Sequence, residues 1–416
     1  MADLIHASYY QPRIFPIKGD VEPSEIDRAQ SIDPTVSLNR VKVDEIGRVK
    51  PVGYIKKSPS VGYRLTQYEN GSLEFFQKLV NSTVLGNDGE TEITLSDFRT
   101  SYFDICAYLT DNDNTFVGTV HYPSLRTSGF SFTIGDPQAI IERSFDFVGE
   151  NANIWKDNNK YFIYKKHTCG SGDDDEIDLS AKVPTEDPDE AGVYMFRVVR
   201  VRSGVSTELV RAIDYNYSDG TKVLTITSVL TDDVIKVYYT SVTAPDVLFT
   251  NNDSDVSGIL GDSVSIYLYV PGSGKPSSSD YIYRLQSVTI DVSFDREDTG
   301  ELGNKAVVAR GITNSTVTVT MGKKMGQWTL EEALRGVDTG FGKIDVSKLS
   351  DRVSLIVKVF EDNTKDPSVF KYGFKATGLS PMELRGGPTV NANVDNENTL
   401  EGEDLIISAD LSVLGI

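Results

Sequence analysis

The stretch "LQSVTIDVSFDREDTGELGNKAVVARGITNSTVTVTMGKK" (Leu285–Lys324) decides the fold. Two runs inside it, "SVTIDVSF" (287–294) and "STVTVTM" (315–321), alternate apolar and polar residues at period 2, the pattern of half-buried strands. Between them lies a long polar segment that opens with Asp295, Arg296, Glu297 and Asp298 and turns at Glu301-Leu302-Gly303. Four close charges in a loop admit three readings: a metal site, an acid–base pair, or a solvated loop.

A second copy of the stretch bears on that choice. Setting Glu45-Ile46-Gly47 against Glu301-Leu302-Gly303 gives a register that runs without a gap to Leu65 and Met321 and matches Val52 with Val308 and Val61 with Val317. One residue is then lost, and Gly71, Phe75 and Leu79 face Gly326, Leu330 and Leu334. Further echoes keep the same order: "YLTDN" (108–112) with "VFEDN" (359–363), "LRTSGFS" (125–131) with "FKATGLS" (374–380), "GDP" (135–137) with "GGP" (386–388), and Gly149-Glu150 with Gly402-Glu403. Collinear order over so long a span indicates an internal duplication. The loop of the first copy offers Asp44-Glu45 but no counterpart to the other charges of 295–298. What the copies share is Glu, then Ile or Leu, then Gly, which fits a docking element better than a reactive one.

Outside the duplicated stretch the pattern stays β. "KVLTITSV" (222–229), "DVIKVYYT" (233–240) and "VSLIVKVF" (353–360) are β-branched runs separated by turn signals such as "SDG" and "PGSG". Two short helices interrupt. One is "SLEFFQKLV" (72–80), with Ser72 at its cap; the other is "TLEEALRG" (329–336), with a Thr329/Glu332 capping box and Gly336 as its stop. The expected fold class is mainly β, with two tandem antiparallel β-sandwich or barrel domains, each carrying a short α-helix, and a small β-subdomain between them. The expected boundaries are 1–155 for repeat one, 156–280 for the inserted β-subdomain with its acidic loop, and 281–416 for repeat two. The polar run "CGSGDDDEIDLSAKVPTEDPDEAG" (169–192) reads as a long loop or projecting arm.

Composition narrows the function classes. The chain has 416 residues, 39% of them hydrophobic, and a formal charge of −20. That deficit is spread as −7, −8 and −5 over residues 1–150, 151–280 and 281–416, so it belongs to the surface and not to a tail. Such a surface does not seek phosphates, since duplex binding needs Lys and Arg that release counterions. It keeps the chain soluble, and it can let a polyanion pass without holding it. No apolar run is long enough to span a bilayer, the N-terminus lacks the regions of a signal peptide, and two cysteines cannot make a disulfide framework, which points to a reducing cytosol.

Catalytic signatures are missing. The sequence holds no CxxC pair, HExxH, GxSxG or Gly-rich phosphate loop, and of three histidines only His167 lies close to a thiol, Cys169, as a loop coincidence. The acid runs "DDDEID" (173–178) and "DNDN" (111–114) lack the spacing of a calcium loop and read as solvated turns. A glycoside hydrolase needs two carboxylates at a fixed separation, and nothing here selects two. No enzyme activity, metal or cofactor is expected. The other non-enzymatic reading is an acidic β-sandwich adhesin or carbohydrate-binding surface protein.

The stretch 285–324 with its following helix resembles the tail tube (major tail) proteins of tailed bacteriophages, and "ERSFDFVGENANIW" (142–155) resembles the end of the tube domain there. The resemblance covers most of 285–335 and, more faintly, 40–155. It implies sandwich domains with a flanking helix, six to a ring, stacked as a conduit for genome ejection. With two domains per chain, a homotrimer would close a pseudo-hexameric ring. It implies that Asp44, Glu45, Ile46, Gly47, Asp295, Arg296, Glu297, Asp298, Glu301, Leu302 and Gly303 reach a neighbouring subunit or ring. Acids expected to face the lumen are Asp104, Asp111, Asp113, Glu361 and Asp362. Implied partners are further copies of the chain, tape measure protein, tail terminator and distal tail proteins, and passing DNA without specific binding, with no membrane. The implied location is the virion tail, assembled in the host cytoplasm.

Overall fold

The computed structural model describes residues 10–43, 53–56, 59–81, 92–110, 116–156, 161–170, 173–187, 191–245, 258–270, 285–300, 307–324, 352–387 and 395–415. The expected helix at 329–336 therefore lies outside the described residues, as do 44–47, 111–115 and 301–306. Repeat one contributes β1 (Tyr10–Pro16), β2 (Ser24–Glu25), β3 (Ala29–Ser37), β4 (Arg40–Val43), β5 (Gly53–Lys56) and β6 (Ser60–Tyr68). Helix α1 (Glu74–Val80), β7 (Glu92–Thr94), helix α2 (Asp97–Thr100), β8 (Phe103–Thr110), β9 (Phe116–Ile134), β10 (Glu142–Gly149) and β11 (Asn153–Lys156) follow. The insert holds β12 (Tyr161–Thr168), β13 (Asp173–Asp178), β14 (Met195–Arg202), β15 (Val205–Glu208), β16 (Tyr215–Ser218), β17 (Val223–Val229) and β18 (Val234–Ser241). Repeat two supplies β19 (Val264–Tyr269), β20 (Leu285–Gly300), β21 (Val307–Lys324), β22 (Val353–Phe360), β23 (Phe370–Gly387), β24 (Asp395–Gly402) and β25 (Asp404–Ser408). No helix among the described residues is long and apolar enough to cross a membrane.

The mainly-β expectation holds, and the strand pairing carries the duplication. Repeat one runs β1-β8-β9-β10-β6-β3 with β11 on β9; repeat two runs β19-β22-β23-β24-β21-β20 with β25 on β23. The registers coincide as well. Ile32 pairs with Leu65, and Val288 with Met321, each 256 positions further on. Bulges recur at matching places, between Phe103 and Ile105 and again between Val353 and Leu355. The long third strands bend at Ser124 (φ 54°) and at Gly378 (φ 67°), both in the left-handed region.

These landmarks correct part of the sequence alignment. Leu125 is the twin of Leu379, not of Phe374, and Tyr108 is the twin of Lys358, not of Val359. The "GDP"/"GGP" echo at 135–137 and 386–388 is likewise out of register. The β22–β23 turn is four residues longer than the β8–β9 turn, so the offset steps from 250 to 254 there, and local identity in "TSG" and "ATG" masks the step. The second repeat also starts earlier than 281, because β19 pairs with β22 as β1 pairs with β8.

One hydrophobic cluster spans both repeats, from Ile14, Phe76 and Phe130 to Val319, Phe374 and Ile407. Helix α1 closes over it with Phe75, Phe76, Leu79 and Val80. The Ser72 hydroxyl accepts the Glu74 N–H (3.1 Å), and Asn81 ends the helix at φ 56°. The insert folds as two small sheets, β12-β18-β14-β15 and β13-β17-β16, around Ile163, Val198, Leu224, Ile226 and Val237. "DDDEID" is therefore a strand, β13 paired with β17, and not a solvated turn. Ile177, its fifth residue, is buried in that core, so the run obeys period 2 in spite of its charge.

Candidate assembly interface

The two repeats meet edge to edge. Strand β20 adds to β9 from Val288↔Ile134 to Ser293↔Gly129, and β7 of repeat one adds to β25 of repeat two. Alternation along β20 points Val288, Ile290, Val292 and Phe294 inward, where none is more than 4% exposed. Each such burial is worth about 1.5–3 kcal/mol relative to exposure. Phe294 lies 5.6 Å from the Phe98 ring of α2 and 6.5 Å from Phe130 of β9. A Cβ on Gly129 would stand 2.7 Å from the Val292 carbonyl oxygen, so this close approach of strands needs glycine.

Arg296 finishes the junction. Its Nε donates to the Thr127 carbonyl (2.7 Å) and its Nη2 to the Phe98 carbonyl (3.1 Å). A residue expected to touch a neighbouring subunit touches the neighbouring repeat. The segment expected as a loop from 295 is a continuation of β20, which runs to Gly300 against β21 from Val307. Asp295 and Glu297 are exposed along it. Deeper in, the Tyr372 hydroxyl of β23 donates to Glu69 Oε2, which also pairs with Arg143 Nε at 3.2 Å; all three side chains are buried.

Arg296 also has a twin that the sequence reading missed. Beyond β3, Arg40 of β4 pairs with Lys56 of β5 as Arg296 pairs with Ile312, again 256 apart. The gap-free register therefore extends from Glu45 back to Ile32 and equates Val36-Ser37-Leu38-Asn39-Arg40 with Val292-Ser293-Phe294-Asp295-Arg296. The statement that the charges of 295–298 have no counterpart in repeat one is corrected for Arg296. In repeat one this motif is exposed: Val36 is 46% and Leu38 58% exposed, and Arg40 is exposed too.

Strands β3, β6, β10, β9, β20, β21, β24 and the far half of β23 form one broad sheet. Its inward side is the core, and its outward side is hydroxyl-rich: Thr66, Ser144, Ser131, Thr318 and Thr399 share it with acids Asp33, Asp146, Asp291 and Glu401. Burial and the Asp146 charge hold the Asp291 carboxyl above its ordinary range, against the pull of Arg64. None of these four acids is among those expected to face a lumen, because none lies in an acid run. Glu361 and Asp362 lie in the β22–β23 turn, at the opposite end of β23 from the broad sheet; Glu361 pairs with Lys371 (2.8 Å) and Asp362 is exposed. Asp111 and Asp113 lie outside the described residues.

Asp104 is a correction. It is buried and bonds His121 Nε2 (2.9 Å), Arg197 Nη1 (3.1 Å) and the Ser124 N–H (2.8 Å), so it cannot line a channel. Burial alone would raise its pKa, but Arg197 and His121 outweigh that and bring it down to about 2. Because Arg197 belongs to β14, the cluster ties the insert to repeat one. A second tie is Lys236 of β18, whose Nζ donates to the carbonyls of Pro16 (2.7 Å) and Gly19 (3.0 Å), with burial drawing its pKa down to about 7.

His167, Cys169 and Asp175 are brought together after all, with donor atoms within 4.8 Å of one another. Asp175 on β13 supplies the link that the sequence reading lacked, 3.1 Å from His167 Nε2. Burial first, then Asp175 and Asp233, push the Cys169 thiol up to about 12.

No family model matches the chain, and no curated protein matches it. Among solved structures it is similar to a chain from the cryo-EM structure of the anti-feeding prophage (AFP) baseplate, 6-fold symmetrised. The identity is 12% and the TM-score 0.27, over 38% of this chain and 98% of that one. A likeness at that TM-score carries no argument about fold or function.

Proposed function

We propose that the protein is a structural virion protein that polymerises through its sheet edges into stacked rings, the tail tube of a tailed bacteriophage, with the broad polar face lining the bore. One observation carries the reading: the broad sheet already joins two copies of one fold edge to edge and, among the described residues, ends in β3 on one side and the far half of β23 on the other. Sheet edges call for partners, and head-to-tail contacts close into rings when the rotation allows. The resemblance of 285–324 to tail tube proteins supports the same conclusion.

Three chains would supply 24 strands to a closed barrel, eight from each broad sheet. With strands about 4.8 Å apart and tilted by about 40°, its backbone diameter is about 40–50 Å, wide enough for a duplex. Thr and Ser hydroxyls with scattered Asp33, Asp146, Asp291 and Glu401 would give DNA a wall to slide along. Their field reaches only about 8 Å at physiological salt. The implied partners are further copies, with the tape measure, terminator and distal tail proteins at the ends of the tube. Negative-stain electron microscopy of the purified protein tests this: rings or tubes are expected without calcium. Monomers at every concentration, with a calcium-dependent gain in thermal stability, would instead mark an adhesin.

A further inference from the structure

We propose that His167, Cys169 and Asp175 hold a divalent cation of the zinc class, which clasps the two sheets of the insert together. The inference goes beyond the ring reading and does not depend on it.

The ligands come from two runs that look unrelated in the sequence, "KHTCG" (166–170) and "DDDEID" (173–178). His167 lies near the end of β12, in the sheet β12-β18-β14-β15, and Asp175 lies in β13, in the sheet β13-β17-β16. Alternation along an extended chain puts His167 and Cys169 on one face. In β13 the register shifts between Asp173 and Asp175, and Asp175 then shares its face with Ile177, whose core also contains Cys169. Backbone bonds fix both sides of the cluster. The Cys169 N–H donates to the Asp233 carbonyl (2.8 Å), and the Cys169 carbonyl accepts the Asp232 N–H (3.0 Å). The Asp175 carboxylate accepts the Glu176 N–H (2.8 Å) and the Gly170 N–H (3.3 Å), the kind of support that orients a metal ligand.

The three donor atoms lie within 4.8 Å of one another, with His167 Nε2 and Asp175 Oδ2 3.1 Å apart. Around a tetrahedral zinc, with bonds of about 2.0–2.3 Å, donor atoms stand about 3.3–3.6 Å apart, so small side-chain rotations complete three corners. The His167 and Asp175 side chains are 28% and 19% exposed, which leaves the fourth corner to water. Thiolate with imidazole suits zinc, whereas calcium and magnesium take oxygen ligands. The thiol proton leaves as the cation enters. Thiolate and carboxylate then balance the two positive charges, and a neutral cluster sits against the apolar core. The other charges acting on the thiol are Asp233 and Arg200. Asp233 pairs with Arg202 (2.6 Å) and Arg200 donates to the Ser228 carbonyl (3.3 Å), so each has its own partner. Every residue of β13 except Ile177 is acidic, and a cation offsets the repulsion among them.

The test uses the full chain, stripped with a chelator and titrated with cobalt(II) and then with zinc. One cobalt per chain should bind with the near-ultraviolet charge-transfer band of a thiolate ligand and the visible bands of tetrahedral cobalt, and zinc should erase both. Cys169→Ala should lose the charge-transfer band. His167→Gln, at a partly exposed position that does not put folding at risk, should weaken binding by about tenfold or more. Zinc should raise the melting temperature of the native chain and leave that of Cys169→Ala unchanged. Cobalt that binds without the charge-transfer band, as on any acidic surface, overturns the site. So does a band that survives in Cys169→Ala, or an affinity that His167→Gln does not change.

Discussion

The strip Val288, Ile290, Val292 and Phe294 of β20 and the strip of Ile32, Pro34 and Val36 in β3, with Leu38 just past its end, hold equivalent places in the two repeats and opposite places in the protein. The first is covered by α2 and β9 and belongs to the core. The second lies at the rim of the broad sheet, with Leu38 58% exposed where Phe294 is 4% exposed. The same residues therefore serve folding in one copy and stand exposed in the other. The largest expected effect separates these roles. Phe294→Ala should destabilise the monomer by about 3–5 kcal/mol, the range for a buried aromatic. Leu38→Ala should stay within about 0.5 kcal/mol by urea unfolding, as exposed sites do, and appear only in assembly. Equal losses in the two variants would break the comparison.

The two junctions of repeat one, with the insert and with repeat two, differ in kind. The β9–β20 junction is a strand ladder over apolar packing, which does not titrate. The insert adds charge to apolar packing: Phe15, Ile17 and Cys106 meet Phe162, Val199 and Tyr238, and beside them Arg197 bonds Asp104 and Lys236 bonds carbonyls. Asp104 has a folded pKa of about 2 against 3.8 ordinarily. Its contribution is fully present above about 3.8 and is lost as the pH falls through about 2. The size is about 2 kcal/mol at 1.36 kcal/mol per unit. Trp155 reports on the site, since it stacks on His121 at 5.3 Å and on Phe162 at 6.1 Å. Its emission should shift between about pH 4 and 2 before the β9–β20 amides lose protection against hydrogen exchange. Loss of both together would show that the insert and the junction are one cooperative unit.

How much of this the sequence holds can be seen residue by residue. Strands β20 and β21 follow from period-2 alternation, β17, β18 and β22 from β-branched runs between turn signals, and α1 from its cap and apolar face. The duplication follows from the Glu-[Ile/Leu]-Gly turn. The match between Arg40 and Arg296 is equally legible, since Val36-Ser37-Leu38 and Arg40 extend the same gap-free register. Other features could not be read. Asp104 looks like any surface acid until Arg197, 93 positions away, is brought to it. Cys169 and His167 meet Asp175 only because β13 pairs back into the insert. The polar face is a property of many strands in register, and no single segment displays it.

The smallest expected effect concerns that face. Arg64 on β6 has Asp33 opposite it on β3 and Asp146 opposite it on β10, where its Nε lies 3.8 Å from Oδ1. Both side chains of that pair are about half exposed, so solvent screens it, and pairs of this kind contribute about 0–1 kcal/mol. Asp146→Asn should therefore leave folding stability nearly unchanged. It should still lower the titration midpoint of Asp291, because it removes the like charge that raises it and leaves the Arg64 attraction in place. Asp291 is at the filled junction; its twin at the open edge is the uncharged Thr35. Carboxyl chemical shifts followed against pH can read the change directly. A midpoint for Asp291 that does not move would mean that burial alone sets it, and that the charges of the broad face are not coupled.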